Sequence, residues 1–191
     1  MTRQPFELRP ARLSDVAEIA VIWHDGWRDG HLGHVPDELV AERSMPSFQA
    51  RAAQRAALAP GSTDPGSTAA QGAAAQSPVA ADGSSTVVAI VGAAVAGFVM
   101  VVGDEVEQVY VSRVHRGTGA AGALLAEAER IVRAGGHDRA WLAVVPGNIR
   151  ALRFYKHHGW TDDGAIFYPA AAAGGPVLVS CRRYVKNLLP A

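Results

Sequence analysis

Residues 109–129 read VYVSRVHRGTGAAGALLAEAE, and this stretch predicts a strand, a glycine-rich turn and a helix in direct succession. The β-branched start favours a strand, and the Ala-, Leu- and Glu-rich run from about Gly119 favours a helix. A turn of this kind presents the first backbone N–H groups of the helix to an anion. Close packing of a helix start against a strand explains the same small residues. The stretch alone therefore leaves an anion site and a tightly packed helix start as alternatives.

The segments around this stretch alternate helix-like and strand-like patterns. A first helix is expected to begin after Ser14, a suitable cap residue, and a second helical region to follow it. Downstream, Asn148 is expected to begin a helix whose apolar face carries Ile149, Leu152 and Tyr155. The expected strands lie near 6–9, 86–91, 93–102, 106–112, 139–145, 165–168 and 176–184. This order predicts an α/β fold around a mixed sheet, in which three successive strands form an antiparallel meander.

Composition and charge favour a single soluble domain. Lys plus Arg and Asp plus Glu number 18 each, so no general attraction to nucleic acid or to an anionic membrane is expected. The one cysteine, Cys181, cannot form an intrachain disulfide. With no leader-like segment and no apolar run of ~18 residues, a cytoplasmic location is expected. Residues 59–85 contain no aromatic residue and are expected to form a flexible low-complexity insertion within one domain spanning 1–191.

Two patterns along the chain carry a resemblance to a known family. The first, Q/R-x-x-G-x-G/A, is matched by Arg116, Gly119 and Ala121. The second is N-x-x-A-x-x-F/L-Y-x-x-x-G-F/W, and the residues that match it are Asn148, Ala151, Phe154, Tyr155, Gly159 and Trp160. With these patterns the chain resembles the GNAT superfamily of acyl-CoA-dependent N-acetyltransferases, over most of its length except 59–85.

The resemblance implies a GNAT-like fold, with a central mixed, mostly antiparallel twisted sheet flanked by helices. It implies acetyl-CoA as cosubstrate, with the coenzyme's pyrophosphate against the N–H groups of the glycine turn. Asn148 is implied to bind the pantetheine arm, although an asparagine there is equally suited to cap a helix. The residues implied in coenzyme binding are Val109, Tyr110, Val111, Arg116, Gly117, Thr118, Gly119, Ala120, Ala121, Gly122, Asn148 and Tyr155.

The implied reaction is direct attack of an amine on the thioester in a ternary complex, which requires a neutral amine. Deprotonating a lysine-like amine at pH 7 costs about 4.6 kcal/mol, so a base matters. Glu105 fits the position of the family's base, and Glu107 shares its face of the strand. The alternative for both is a solvent-facing carboxylate. Tyr155 takes the position of the family's general acid for the departing thiolate, and its alternative role is that of a core tyrosine.

The acceptor end of the site is less specified by the sequence. The family tends to build its acceptor pocket near the end of the first helix, which implicates Trp27 and His31. Phe167 and Tyr168, near the last strands, are expected to form the opposite wall. No residue spacing suggests a metal. The expected partners are acetyl-CoA and an amine acceptor, without nucleic acid or membrane, and a homodimer is kept open. The alternative function is a non-catalytic acyl-CoA-binding or regulatory module on the same fold.

Overall fold

The computed structural model describes residues 6–57 and 83–189 of the chain. In chain order the elements are β1 (Glu7–Pro10), α1 (Val16–His31), α2 (Asp37–Glu42), α3 (Met45–Ala57), β2 (Ser84–Val91), β3 (Ala94–Val102), β4 (Glu105–Val111), α4 (Ala120–Ala134), β5 (Arg139–Val144), α5 (Ile149–His157), β6 (Thr161–Ala170) and β7 (Val177–Asn187). Short 3₁₀ turns precede α1 and follow β4. The expected order of helices and strands is confirmed, with the second helical region divided into α2 and α3. Within the described ranges, no helix is long and apolar enough to cross a membrane.

All seven strands form one sheet in the order β1-β2-β3-β4-β5-β7-β6. The first four strands pair in an antiparallel manner, with β2, β3 and β4 joined as a meander, and β7 pairs antiparallel with both β5 and β6. Only β4 and β5 are parallel, so the sheet is mixed and mostly antiparallel, as expected. Their register contains a single pair, Glu105 with Trp141, supported by a 3.0 Å hydrogen bond from the Trp141 backbone N–H to the Asp104 carbonyl oxygen.

Helices cover both faces of the sheet because the side chains of its central strands alternate. Val87 and Val99 belong to a core with the apolar face of α4 and with α5. Val88 and Phe98, their neighbours in sequence, belong to a second core with α1 and α3. One face of α4 carries apolar residues at helical spacing, and all of them are buried, namely Leu124, Leu125, Ala128, Ile131 and Val132. The sheet is therefore the middle layer, and a site that crosses it can be lined from both helical layers.

The start of α1 differs from the expectation for Ser14. Ser14 lies inside the 3₁₀ turn, and the side chain that organises the turn is Asp15. One carboxylate oxygen of Asp15 accepts the Arg12 backbone N–H at 2.7 Å, and the two oxygens accept the two arms of the Arg9 guanidinium at 2.7 and 2.8 Å. A buried carboxylate that satisfies three donors holds the turn more strongly than a hydroxyl would.

Two further expectations are corrected by burial and by element bounds. Ile149, expected on the apolar face of α5, is 51% exposed, because the helix begins at this residue and turns it away from the core. Ser84 and Ser85, expected within the insertion at 59–85, are buried residues of β2. Residues 59–82 of that expected insertion lie outside the described residues. The last strands are longer than expected, because β6 and β7 pair along most of their length.

Candidate active site

Two cavities meet at the point where β4 and β5 separate. The α4 cavity, about 870 Å³, lies between the end of β4, residues 115–123 and α5. The α1 cavity, about 210 Å³, is enclosed by α1, the segment from Val35 to Arg51, β4 and the ends of β6 and β7. Five residues line both cavities, namely Val109, Tyr110, Asn148, Ala151 and Tyr155. A reaction between two bound molecules, one in each cavity, is therefore expected at these shared residues.

Two glycines of α1 allow this helix to approach the shared residues closely. A Cβ atom on Gly26 would lie 2.4 Å from Cδ1 of Tyr110, and one on Gly30 would lie 2.5 Å from Nδ2 of Asn148. Neither distance is tolerated between real side-chain atoms, so both positions require glycine unless the neighbour moves. The spacing of four residues places both glycines on one face of α1. Tyr110 and Asn148 are thus held from the α1 side by backbone rather than by side chains.

The glycine-rich turn before α4 lines the α4 cavity as the sequence predicts. Gly117 and Gly119 have φ angles of 78° and 97°, a backbone conformation that other residues rarely adopt. Ala121 and Gly122, in the first helical turn, also line the cavity. Their backbone N–H groups have no carbonyl partner within the helix, since the first turn of any helix lacks them. The cavity therefore contains unpaired donors at the positive end of the α4 dipole.

Two of the predicted coenzyme residues do not line the α4 cavity. The Thr118 hydroxyl donates to the His115 carbonyl oxygen at 2.8 Å and accepts the Ala120 N–H at 3.4 Å. Ala120 itself is buried against the core. Both residues shape the turn. Arg116 lines the cavity, but its guanidinium is paired with Asp29 at 2.7 Å, and Arg113 binds the same carboxylate. These hydrogen bonds, first from Arg113 and then from Arg116, lower the pKa of Asp29.

Asn148 fulfils the capping role and also lines both cavities. Its side-chain oxygen accepts the Ala151 N–H at 3.2 Å, which caps α5. Its Nδ2 atom faces Gly30, as described above. Capping fixes the orientation of the amide, so the two roles considered for this residue are compatible.

Tyr155 is the most buried titratable group at the junction of the two cavities. The side chain packs against Trp160 and Tyr184, with ring centroids 6.0 and 6.4 Å away. Burial raises the pKa of Tyr155 well above its usual value, so the phenol keeps its proton at neutral pH. Within residues 6–57 and 83–189, no group hydrogen-bonds to its hydroxyl. The junction therefore contains a neutral O–H donor at Tyr155, and Tyr110, whose pKa burial also raises, provides a second one; neither hydroxyl has a hydrogen-bond partner among the described residues.

The two glutamates of β4 both line the α1 cavity, but their surroundings differ. Burial raises the pKa of Glu105 to about 7; the Tyr168 hydroxyl, which donates a hydrogen bond to Oε1 at 2.8 Å, opposes the shift, and Glu107 and Asp104 add to it. Glu107 instead pairs with Arg55. A carboxyl group with a pKa near neutrality is suited to accept and release protons, whereas one held by an arginine is not. Glu105 is therefore the stronger candidate base.

The glycine spacing also fits a different pattern, which the topology excludes. Gly117, Gly119 and Gly122 satisfy G-x-G-x-x-G, the fingerprint of dinucleotide-binding turns. That fingerprint belongs to open, mostly parallel sheets. In this protein only the β4–β5 pair is parallel, and every other strand pair among the described residues is antiparallel.

Comparison with family models identifies the chain. The model of the acetyltransferase (GNAT) family matches residues 52–160, more than half of the sequence. The chain belongs to the GNAT family of acetyltransferases. Comparison with curated protein sequences found no match. The matched region contains the glycine turn, both glutamates of β4, Asn148 and Tyr155, whereas α1 and α2 lie before it.

Solved structures share this GNAT fold over nearly the whole chain. A GCN5-related N-acetyltransferase from Rhodopseudomonas palustris aligns with a TM-score of 0.66 at 16% identity, covering 98% of both chains. YncA from Salmonella typhimurium, solved with acetyl-CoA, aligns with a TM-score of 0.62 at 17% identity and covers 98% of this chain and 96% of its own. PaiA N-acetyltransferase from Thermoplasma acidophilum, solved with coenzyme A, aligns with a TM-score of 0.58 at 14% identity, covering 96% and 99%. At these identities the likeness concerns the fold.

The α1 cavity of this GNAT protein has an aromatic wall formed by Trp27 and His31, both predicted. Their rings are stacked with centroids 4.9 Å apart and an interplanar angle of 4°. Nδ1 of His31 lies 2.9 Å from the Trp27 carbonyl oxygen, which can only accept, so Nδ1 carries the ring proton. Burial lowers the pKa of His31 to about 4, so the ring is neutral and Nε2 has a lone pair. His31 thus provides a hydrogen-bond acceptor.

Of the two residues expected in the opposite wall, Tyr168 is there and Phe167 is not. Phe167 is 74% exposed, whereas Tyr168 lines the α1 cavity and hydrogen-bonds to Glu105. Successive residues of a strand point to opposite faces, so only one of the two can face the cavity. The register of β6 on β7 shifts between Asp162 and Gly164, and local sequence does not reveal which face each later residue takes.

The sequence does not reveal two cationic residues of the α1 cavity. It also assigns no role in this cavity to Cys181. Arg43, just after α2, and Arg51, on α3, line the cavity. Nothing in their local pattern distinguishes them from surface arginines, since it is the packing of α2 and α3 that brings them there. Cys181 also lines it; burial raises the pKa of its thiol to about 11, so it is protonated at neutral pH. Among the described residues no group of His, Cys, Asp and Glu is arranged to hold a metal.

Proposed function

We propose that the protein is an N-acetyltransferase that transfers the acetyl group of acetyl-CoA directly to an amine in a ternary complex. The observation that carries this proposal is the junction of two cavities at Tyr155, with Glu105 on the wall of one of them. Membership of the GNAT family supports the reaction class. The Salmonella and Thermoplasma relatives of the same fold, solved with acetyl-CoA and with coenzyme A, support the choice of cosubstrate.

The residues of the α4 cavity fit coenzyme A. Its volume of about 870 Å³ lies in the range of small-molecule and cofactor sites. The unpaired N–H groups of Ala121 and Gly122 and the α4 dipole suit a pyrophosphate, and Arg116, which shares Asp29 with Arg113, belongs to a group with one net positive charge. Val109–Val111 provide a strand end along the cavity, and Asn148 an amide. The α4 cavity therefore has an anion site at the glycine-rich turn and extends from there to Tyr155.

The proposed mechanism assigns a proton to each of two residues. Acetyl-CoA, when bound, supplies a thioester carbonyl carbon that forms a bond to the amine nitrogen while its bond to sulfur breaks. Glu105, ionised above a pKa of about 7, accepts the proton that the amine loses, directly or through water. Tyr155, held neutral by burial, donates its O–H to the departing sulfur. Since a phenol is a weaker acid than a thiol, stabilisation by this hydrogen bond is the larger part of its role.

Direct transfer is favoured over an acetylated cysteine. Cys181 lines the α1 cavity, but its thiol is held protonated by burial. A nucleophilic cysteine requires a lowered pKa or an adjacent base. No hydrogen bond from a base to its sulfur exists within the described residues. Cys181 is therefore assigned a packing role.

Calorimetric titration with acetyl-CoA tests the coenzyme site, with ATP as a phosphate-bearing control. We expect one-site binding of acetyl-CoA that is at least tenfold weaker in Gly119→Val, because φ at Gly119 is 97° and valine cannot adopt it without strain. Gly174→Val is the matched control, since Gly174 has open space around it and no positive φ. Preference for ATP, or equal affinity in Gly119→Val, would reject the coenzyme assignment.

Thiol release in the presence of a panel of amines tests catalysis. We expect Tyr155→Phe to lower kcat by about tenfold to hundredfold, the worth of a hydrogen bond to a charged group. Binding of acetyl-CoA without turnover of any amine, together with the absence of an effect in Tyr155→Phe, would favour the non-catalytic module instead.

A further inference from the structure

Two arginines converge on a single backbone oxygen at the wall of the α1 cavity. Nη2 of Arg43 and Nη2 of Arg51 each lie 2.9 Å from the carbonyl oxygen of Ala171, in the segment between β6 and β7. The two nitrogens are therefore separated by less than twice that distance. Arg43 is also held over the Trp27 ring, with its guanidinium carbon 5.9 Å from the ring centroid. The arrangement fixes two cations side by side on a wall of the cavity.

Neither arginine has a carboxylate partner among the described residues. Arg43 is only 6% exposed, and Arg51 is half-buried. Two carboxylates lie in the vicinity, but both are engaged: Glu107 pairs with Arg55, and Glu42 accepts the Ala173 backbone N–H at 3.2 Å. Burial, followed by repulsion from Arg51, lowers the pKa of Arg43 to about 10, so both side chains remain cationic at neutral pH.

Such an arrangement is costly unless an anion completes it. A buried cation that faces only a carbonyl dipole retains much of its desolvation penalty, and a second cation beside it adds repulsion. A carboxylate relieves both terms, since each guanidinium offers a planar set of donors that matches its two oxygens. The cavity itself has only about 210 Å³, below the range of drug-sized sites. It therefore suits a small anion-bearing molecule.

We propose that Arg43 and Arg51 bind the carboxylate of the acceptor, so that the substrate class is a small primary amine that also carries a carboxylate, as amino acids do. This inference rests on the proposed function, because it identifies the acceptor of the same site. The cavity wall carries Glu105 for the amine and the arginine pair for the carboxylate, with Trp27 and His31 as its aromatic wall. Both ends of a zwitterionic amine are thus met by groups of opposite charge.

Acetylation of amino acids, each compared with its own carboxamide, tests the proposal. The pair differs only in the carboxylate, and the carboxylate raises the pKa of the neighbouring amine, so ease of deprotonation favours the amide. We expect kcat/KM to be about tenfold to hundredfold higher for the best acid than for its amide, the worth of charge-assisted hydrogen bonds. A second comparison, of phosphoethanolamine with ethanolamine, tests whether a phosphate can replace the carboxylate. We expect kcat/KM to be higher for the best amino acid than for phosphoethanolamine.

Variants of Arg51 connect the preference to the arginine pair. We expect Arg51→Gln to reduce the acid-over-amide ratio by about tenfold and Arg51→Lys to restore part of it, since a lysine keeps the charge and loses the planar fork. Arg28→Gln is the matched control, because Arg28 is exposed on α1 and lines neither cavity. An amide used as well as its acid, an unchanged ratio in Arg51→Gln, or a phosphate preferred over every carboxylate would each overturn the proposal.

A binding measurement separates this proposal from the proposed function. If acetyl-CoA binds but no amine is acetylated, the coenzyme-loaded protein is titrated with the same acids and amides. Tighter binding of acids, lost in Arg51→Gln, supports the arginine site even though catalysis has failed. Equal or absent binding of acids and amides rejects it. If acetyl-CoA itself does not bind, the titration is made on the protein alone and interpreted in the same way.

Discussion

Glu105 combines a partly buried carboxyl group with a position on the wall of the α1 cavity. Its hydrogen bond from Tyr168 orients one oxygen, and burial keeps its pKa near 7, so at neutral pH both protonation states are populated. Glu107, two residues further along β4, is fixed by Arg55. One strand therefore carries a carboxyl group poised for proton transfer and another that serves structure, and the difference arises from the neighbours on α3 and β6.

The pH dependence of catalysis distinguishes the two glutamates. We expect kcat/KM to rise with pH and to level off above about 7, because Glu105 must be ionised to accept a proton. Glu105→Gln is expected to lower kcat/KM by about 10²–10³-fold and to abolish the rise of kcat/KM with pH, the acidic limb of the profile. Glu107→Gln is expected to retain this acidic limb. A limb that persists unchanged in Glu105→Gln would assign the base elsewhere.

The same pKa shift predicts a stability gain when Glu105 is replaced. Its pKa is about 7 in the folded protein and 4.5 as a free side chain, so the folded state keeps a proton that the unfolded chain loses. The free energy of unfolding therefore falls as pH rises from 4.5 through 7. In urea titrations we expect Glu105→Gln, whose amide still accepts the Tyr168 hydrogen bond, to be ~1 kcal/mol more stable than the wild type at pH 8. The gain should vanish below pH 4.5, and an equal gain at both pH values would mean that charge is not its cause.

At the scale of an element, α1 is defined as much by its two glycines as by its apolar stripe. The stripe at Ile19, Trp23 and Trp27 follows the helical repeat, is buried and attaches the helix to the sheet. Gly26 and Gly30 bring its other turns against Tyr110 and Asn148, which line both cavities. The helix thus sets the position of two site residues without donating a side chain to them.

Gly26→Ala tests this role of α1. Alanine in an exposed helix interior would be more favourable than glycine by about 1 kcal/mol. At position 26, however, the new Cβ would lie 2.4 Å from the Tyr110 ring, so we expect the free energy of unfolding to fall by about 1–3 kcal/mol in denaturant titrations. Affinity for acetyl-CoA should fall as well, because Tyr110 borders both cavities. A stabilised variant would mean that Tyr110 moves freely and that α1 does not fix it.

The helices and strands are predictable where their local residue pattern agrees with the family patterns. The site residues are predictable only where they lie within those patterns. The buried face of α4, Asn148 as a cap and Tyr155 at the junction follow from spacing along a single segment. Arg43 and Arg51 do not, because their common partner, Ala171, lies 120 or more residues away and is brought close only by tertiary packing. The sequence does not separate Phe167 from Tyr168, because the inward face of a strand depends on its register with the neighbouring strand.

At the scale of the whole molecule, the sheet consists of two antiparallel parts joined by one parallel pair. β1 to β4 form the first part and β5 to β7 the second, and the register between them is the single pair Glu105–Trp141. The shared site residues come from both parts: Val109 and Tyr110 from the first, and Asn148, Ala151 and Tyr155 from the second, on α5 and its cap. The site exists only where the two parts meet.

We propose that residues 1–191 form one domain, and that 59–82, between α3 and β2 in the chain, does not contribute to the site. The composition of 59–82 offers little to bury, and closing a shorter loop changes the entropy only slowly with length. Replacing 59–82 with a shorter Gly/Ser linker is therefore expected to keep the midpoint of thermal unfolding within a few degrees and to leave acetyl-CoA affinity unchanged. Loss of either would show that the segment has a folding or binding role.

The division of the site between two parts of the sheet has a consequence for the protein during its synthesis. The ribosome releases β4 first, and about 70 further residues must follow before Cys181 on β7 closes the α1 cavity. At ordinary elongation rates this takes several seconds. Throughout that interval the nascent chain presents the edge of β4 and half of each cavity wall, and no ligand that needs both walls can protect it. Bound substrate therefore cannot stabilise the growing chain until its last two strands have emerged.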